Sequence, residues 1–118
     1  MAADWNELAF MRWNDFRKMA PPILKLEIRR LSQLLQKVGL DTELHNAMVR
    51  ARFEVKQVVQ ALESTEAQPE QDEYGSRLSS AILSLSAIQP LCDAETSETV
   101  DYIIDRLNYI YDRLKLLY

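Results

Sequence analysis

The sequence predicts an all-α protein, a four- or five-helix bundle with coiled-coil-like heptad packing. Three observations carry this expectation. Apolar residues recur at spacings of three and four through most of the chain, the mark of a buried helical stripe. Only two glycines and four prolines punctuate the 118 residues, few for a turn-rich β protein. Near the end, YIIDRLN at 102–108 is followed at once by YIYDRLK at 109–115, an explicit seven-residue repeat. A chain of this length fits one domain, 1–118, whose core can remove roughly two-thirds of the unfolded surface from water.

The first helix is expected at about 4–19. Asp4 and Glu7 stand at capping-box spacing, and Trp5, Leu8, Ala9, Trp13, Phe16 and Met19 share one face. Ala20-Pro21-Pro22 then reads as a stop, because a residue before proline is pushed out of the α region. Pro22 suits the first turn of a second helix, about 22–38, where its missing N–H costs nothing. The seam of that helix is Leu24, Ile28, Leu31, Leu35 and Val38, widened by Leu34, with Gly39 placed as a left-handed C-cap.

A third helix at about 42–63, capped by Asp41 or Thr42, carries the seam Leu44, Met48, Ala51, Val55, Val58 and Leu62. The stretch from 64 to 75, STEAQPEQDEYG, is acidic and has little to bury, so a mobile linker is expected. A short fourth helix at about 76–88 aligns Leu78, Ala81, Ile82, Leu85 and Ile88 before Pro90. Thr96 or Ser97 can cap the last helix, about 97–117, with Glu98 and Asp101 near its positive end.

That last helix has more apolar surface than one seam uses. Val100, Ile103, Leu107, Ile110, Leu114 and Leu117 form the main stripe, flanked by Ile104, Tyr111 and Tyr118. Tyr102, Tyr109 and Leu116 make a second, heptad-spaced stripe on the far side, with Asp101, Asp105, Asn108 and Asp112 along one border and Arg106 and Arg113 along the other. An apolar seam with a charged rim is the anatomy of an interface. Val49 and Phe53, one turn apart and opposite the seam of their helix, are the other partner-binding candidates.

Chemistry is poorly provided for. His45 is the one imidazole, and Glu43 two residues away points to a different side of the helix, so neither a catalytic set nor a metal pair is expected. Helix-borne carboxylates such as Asp101, Asp105 and Asp112 do not wrap an ion as a calcium loop does. No glycine-rich phosphate loop or zinc-finger spacing occurs, and no cofactor is expected. Cys92 stands alone, which excludes an intrachain disulfide; with no signal-like start in MAADWNEL, a cytoplasmic protein is expected. The longest nearly uncharged run, Leu78 to Cys92, is about 15 residues and falls short of the roughly 20 needed to cross a membrane. Aspartates and glutamates offset the arginines beside the Trp5/Trp13/Phe16 face, which argues against a membrane-surface role as well.

Charge is unevenly distributed: residues 1–56 hold ten Lys/Arg against seven Asp/Glu, and residues 57–118 hold four against eleven. Oppositely charged helices packing together account for such a split, and so does a basic face for an acidic partner. The expected function is therefore a non-enzymatic interaction or assembly protein, an adaptor, chaperone-like binder or structural subunit that engages a protein partner or further copies of itself. Lys25, Arg29, Arg52 and Lys56 raise the alternative of a helical subunit that grips a nucleic-acid backbone. The acidic C-terminal half raises another, an immunity or antitoxin protein masking a basic toxin.

Overall fold

The computed structural model describes residues 5–39, 42–64, 67 and 73–117, without the side chains of residues 5–11 and 42. Four α-helices, α1 (Trp5–Val38), α2 (Thr42–Glu63), α3 (Glu73–Ile88) and α4 (Ala94–Lys115), and a 3₁₀ turn at Gln89–Leu91 make up the chain. They form an up-down-up-down ring in which α1 lies between α2 and α4, and α3 closes the other side. Ion pairs mark the antiparallel register: Lys25 with Glu63 and Lys37 with Glu95 beside α1, and Arg77 with Glu54 between α3 and α2. The molecule measures 59 × 23 × 20 Å. At 34 residues, α1 exceeds α2 and α4 by twelve, about 18 Å, and runs past them at its N-terminal end.

The expected break at the prolines does not occur. Pro21 and Pro22 lie inside one continuous helix, so the segments predicted at 4–19 and 22–38 are a single element. Each interior proline forfeits a helix hydrogen bond and crowds the preceding turn, at a cost of about 3 kcal/mol. Packing on both sides of the dipeptide offsets this. Trp13 and Phe16 are buried on one side, Leu24 and Leu31 on the other, and Ala20 and Pro21 are buried between them. Each large side chain contributes about 1.5–3 kcal/mol by burial, and Trp13 gains further from aromatic contacts, stacked on Phe16 and tilted against Tyr74 at centroid distances of 6.0 and 5.6 Å. Nearby, Arg17 ties α1 to the end of α2 by donating to the carbonyls of Leu62 (3.1 Å) and Ser64 (2.6 Å).

Continuity also resets the seam. One unbroken helix must keep its buried residues in phase, and the stripe runs Trp13, Phe16, Ala20, Leu24, Glu27, Leu31, Leu34. Ile28, Leu35 and Val38, placed in the expected seam, are half-buried at its edge, as is Met19. A glutamate thus occupies a core position that the prediction of two independent helices gave to a leucine-rich stripe.

The helix at 42–63 has the expected bounds, and its whole seam from Leu44 to Leu62 is buried. Gly39 takes the left-handed conformation (φ +59°) after α1, as expected. α3 begins three residues before its predicted start, because Tyr74 is fully buried against Trp13 and Glu73 pairs with Arg77 one turn on. α4 also starts early. Its N-cap is Asp93, whose carboxylate accepts from the Thr96 N–H at 2.8 Å, in place of the predicted Thr96 or Ser97. The Asp4/Glu7 box, Trp5, Leu8, Ala9, the Asp41/Thr42 cap, Tyr118 and linker residues 65, 66 and 68–72 lie outside the described residues or side chains. Among the described residues no helix is long and apolar enough to cross a membrane.

Candidate functional site

The outward side of α4 is set by its inward one. With Val100, Ile103, Ile104, Leu107, Ile110 and Leu114 buried, the 100° step turns Tyr102, Tyr109 and Leu116 to solvent, where they are 43, 39 and 70% exposed. Among the described residues, Arg30 of α1 is the one side chain of another helix laid over a ring of this stripe. Its borders differ in charge. Arg106 and Arg113 lie on the side of α1, and Glu98, Asp101, Asp105 and Asp112 are exposed on the other.

The arginines also hold the tyrosines. Arg106 and Arg30 sit over the Tyr102 ring at 5.5 and 4.6 Å, and Arg113 over Tyr109 at 5.2 Å. Each such contact is worth about 0.5–1 kcal/mol at an exposed site.

α1 completes the face. Leu26, about half exposed, lies one turn before Arg30 on the same side of the helix. Farther along, a groove of about 630 Å³ opens between α1 and the end of α4, with Phe16, Met19, Tyr109, Leu116 and Leu117 forming its apolar surface and Arg12, Asp15 and Arg113 its charged edge. Leu26, Met19 and the groove were absent from the predicted site. Their phase becomes visible only once α1 is known to be continuous and to neighbour α4.

Beneath this face lies Glu27, 1% exposed. One carboxylate oxygen accepts from Arg30, and the other is buried without a hydrogen-bond partner. Burial pushes the Glu27 carboxyl above its ordinary value, against the opposing pull of Arg30 and Arg106. The groove lining does not include it.

Other predicted residues are less well assembled. Val49 is half-buried and Phe53 is exposed on the outer side of α2, next to Lys56. Lys25, Arg29, Arg52 and Lys56 do share the outer side of the α1–α2 pair. Two of them are engaged within the chain, Lys25 by Glu63 and Arg52 by the Ser32 hydroxyl at 3.1 Å, while Arg29 and Lys56 are exposed. His45 is exposed, and the Cys92 thiol donates to the Ile88 carbonyl at 3.4 Å. Asp101 accepts from the Gln89 amide at 3.3 Å. Among the described residues no three His, Cys, Asp or Glu side chains converge as a metal site would require.

Comparison with protein-family models, curated proteins and solved structures gave no match. Function is therefore read from geometry. The α1–α4 face combines an apolar stripe of constant period, an open groove and a rim of fixed arginines, an arrangement suited to receiving a helix along its length.

Proposed function

We propose that the protein is a cytoplasmic, non-enzymatic docking module, an adaptor or assembly subunit that binds a protein helix along the outer face of α4 and the groove beside α1. The observation that carries this reading is the exposure of Tyr102, Tyr109 and Leu116 at a seven-residue period, opposite a seam that already satisfies the fold. A helix needs one buried stripe to be held in a bundle; a second stripe of the same period is matched to a second helix. Large amphipathic anchors such as tyrosine, rimmed by arginine, are the side chains that concentrate binding energy at interfaces.

The test is site-specific photocross-linking in cells that make the protein. A photoreactive residue at position 102, 109 or 116 is expected to yield discrete protein adducts, and one at Gln60, exposed on the outer side of α2, is expected to yield none. Absence of adducts from all three α4 positions would contradict the proposal.

A further inference from the structure

We infer that the occupant of the α4 stripe is the α4 of a second copy of this chain, packed parallel to the first about a two-fold axis that runs along the helices. The inference rests on the docking reading above and adds the identity and direction of the bound helix.

The reason is the order of charge across the stripe. Arg106 and Arg113 border it on one side, and Asp105 and Asp112 on the other, all exposed. Consider two copies of α4 placed stripe to stripe. A two-fold axis along the helices exchanges the left and right borders of the facing copy, so each arginine border meets an aspartate border. A two-fold axis across the helices reverses direction but leaves the borders on their own sides, so arginine meets arginine and aspartate meets aspartate. Parallel packing is therefore complementary along both edges, and antiparallel packing is repulsive along both.

The repeat supplies the register. YIIDRLN and YIYDRLK place an Asp-Arg pair at the same point of each heptad, so Arg106 stands within about 1.5 Å of the height of the second copy's Asp105, and Arg113 of its Asp112. Tyr102, Tyr109 and Leu116 each meet their own counterpart. Arg106 and Arg113 stand over Tyr102 and Tyr109, at the edge of the stripe where the second copy's carboxylates would arrive. From Tyr102 to Leu116 the stripe is about 21 Å long. A contact of that length is at the small end of specific interfaces, and dissociation is expected at about 1–100 µM.

Two measurements test this. In sedimentation, the wild-type chain is expected to pass from monomer to dimer over that range. Arg106→Asp/Arg113→Asp and Asp105→Arg/Asp112→Arg are each expected to remain monomeric, and their mixture to dimerise. For direction, Tyr102→Cys and Leu116→Cys are made separately with Cys92→Ser. Parallel packing predicts that each forms a disulfide-linked dimer on its own. Cross-links that form only when the two are mixed would show antiparallel packing and overturn the inference. A wild-type chain that stays monomeric to about 1 mM, tenfold above the expected range, would overturn it too. If such a monomer still cross-links a different protein through position 109 in cells, docking stands and the second copy is excluded. No adducts at all would remove both.

Discussion

α2 and α4 are both 22 residues long, and each buries a heptad seam against two neighbours, yet their outer sides differ. Outward from α2 stand Arg50, Phe53, Lys56 and Gln60, one large apolar group among polar ones. Outward from α4 stand Tyr102, Tyr109 and Leu116 in line, with basic and acidic borders. A lone exposed aromatic is ordinary for a protein surface, whereas a row at constant period has a geometry that only another elongated element can match. The inner stripe of each helix thus reports on the fold, and the outer stripe of α4 is the surface that the proposed partner helix would cover.

Substitutions can sharpen this contrast. Truncating either inner seam has the largest effect: Leu62→Ala in α2 and Leu107→Ala in α4 are each expected to destabilise the chain by about 3 kcal/mol in urea unfolding. Of the equivalent outer changes, Phe53→Ser is expected to alter stability by no more than about 0.5 kcal/mol, and Tyr109→Ser, which also gives up the contact with Arg113, by no more than about 1 kcal/mol. Next comes the buried polar pair within α1, Glu27 and Arg30. Arg30→Ala leaves the Glu27 carboxylate buried without its partner, at an expected cost of about 2 kcal/mol, below the 3–5 kcal/mol of a fully buried pair because Arg30 is a third exposed.

Replacing the other partner has a smaller effect that depends on pH. Because burial raises the Glu27 carboxyl above 4.5, the folded chain holds that proton more tightly than the unfolded chain. The resulting stability is full below pH 4.5 and is lost as pH rises through the folded value. Glu27→Gln keeps a neutral side chain throughout, so its melting temperature should gain on wild type as pH climbs from about 4 to about 7. A wild type that gains on the variant instead would show that pairing with Arg30 outweighs burial. The last effect is favourable. A Cβ on Gly75 would meet Leu114 and Tyr111 at 3.6 Å, an ordinary contact, so Gly75→Ala is expected to stabilise α3 by about 0.5–1 kcal/mol.

What the sequence made legible follows the same division. The seam and bounds of α2 could be read directly, because its apolar period is unbroken and no proline interrupts it. The two stripes of α4 were legible for the same reason. The continuity of α1 was not. Pro21-Pro22 carries a strong local stop signal, and the packing of Trp13, Phe16, Leu24 and Leu31 that overrides it is tertiary. From that one difference follow the burial of Glu27, the half-buried position of Ile28 and the outward position of Leu26, since all three depend on the phase of the helix. The groove was hidden as well, because Met19 and Leu117 are far apart in the chain and meet only when α1 and α4 close the ring.

On the docking reading proposed above, the outer stripe of α4, and not that of α2, is where another chain holds the protein. The most direct measurement is the size of the complex containing the protein after cross-linking in cells before lysis, with helicity followed by circular dichroism on the purified chains. Three proteins are compared: wild type, the α4 variant Tyr102→Ser/Tyr109→Ser/Leu116→Ser and the α2 variant Val49→Ser/Phe53→Ser. The prediction is that all three remain equally helical, that wild type and the α2 variant run as a species larger than one chain, and that the α4 variant runs as a monomer. An α4 variant that keeps the larger species, or an α2 variant that loses it, would contradict the claim.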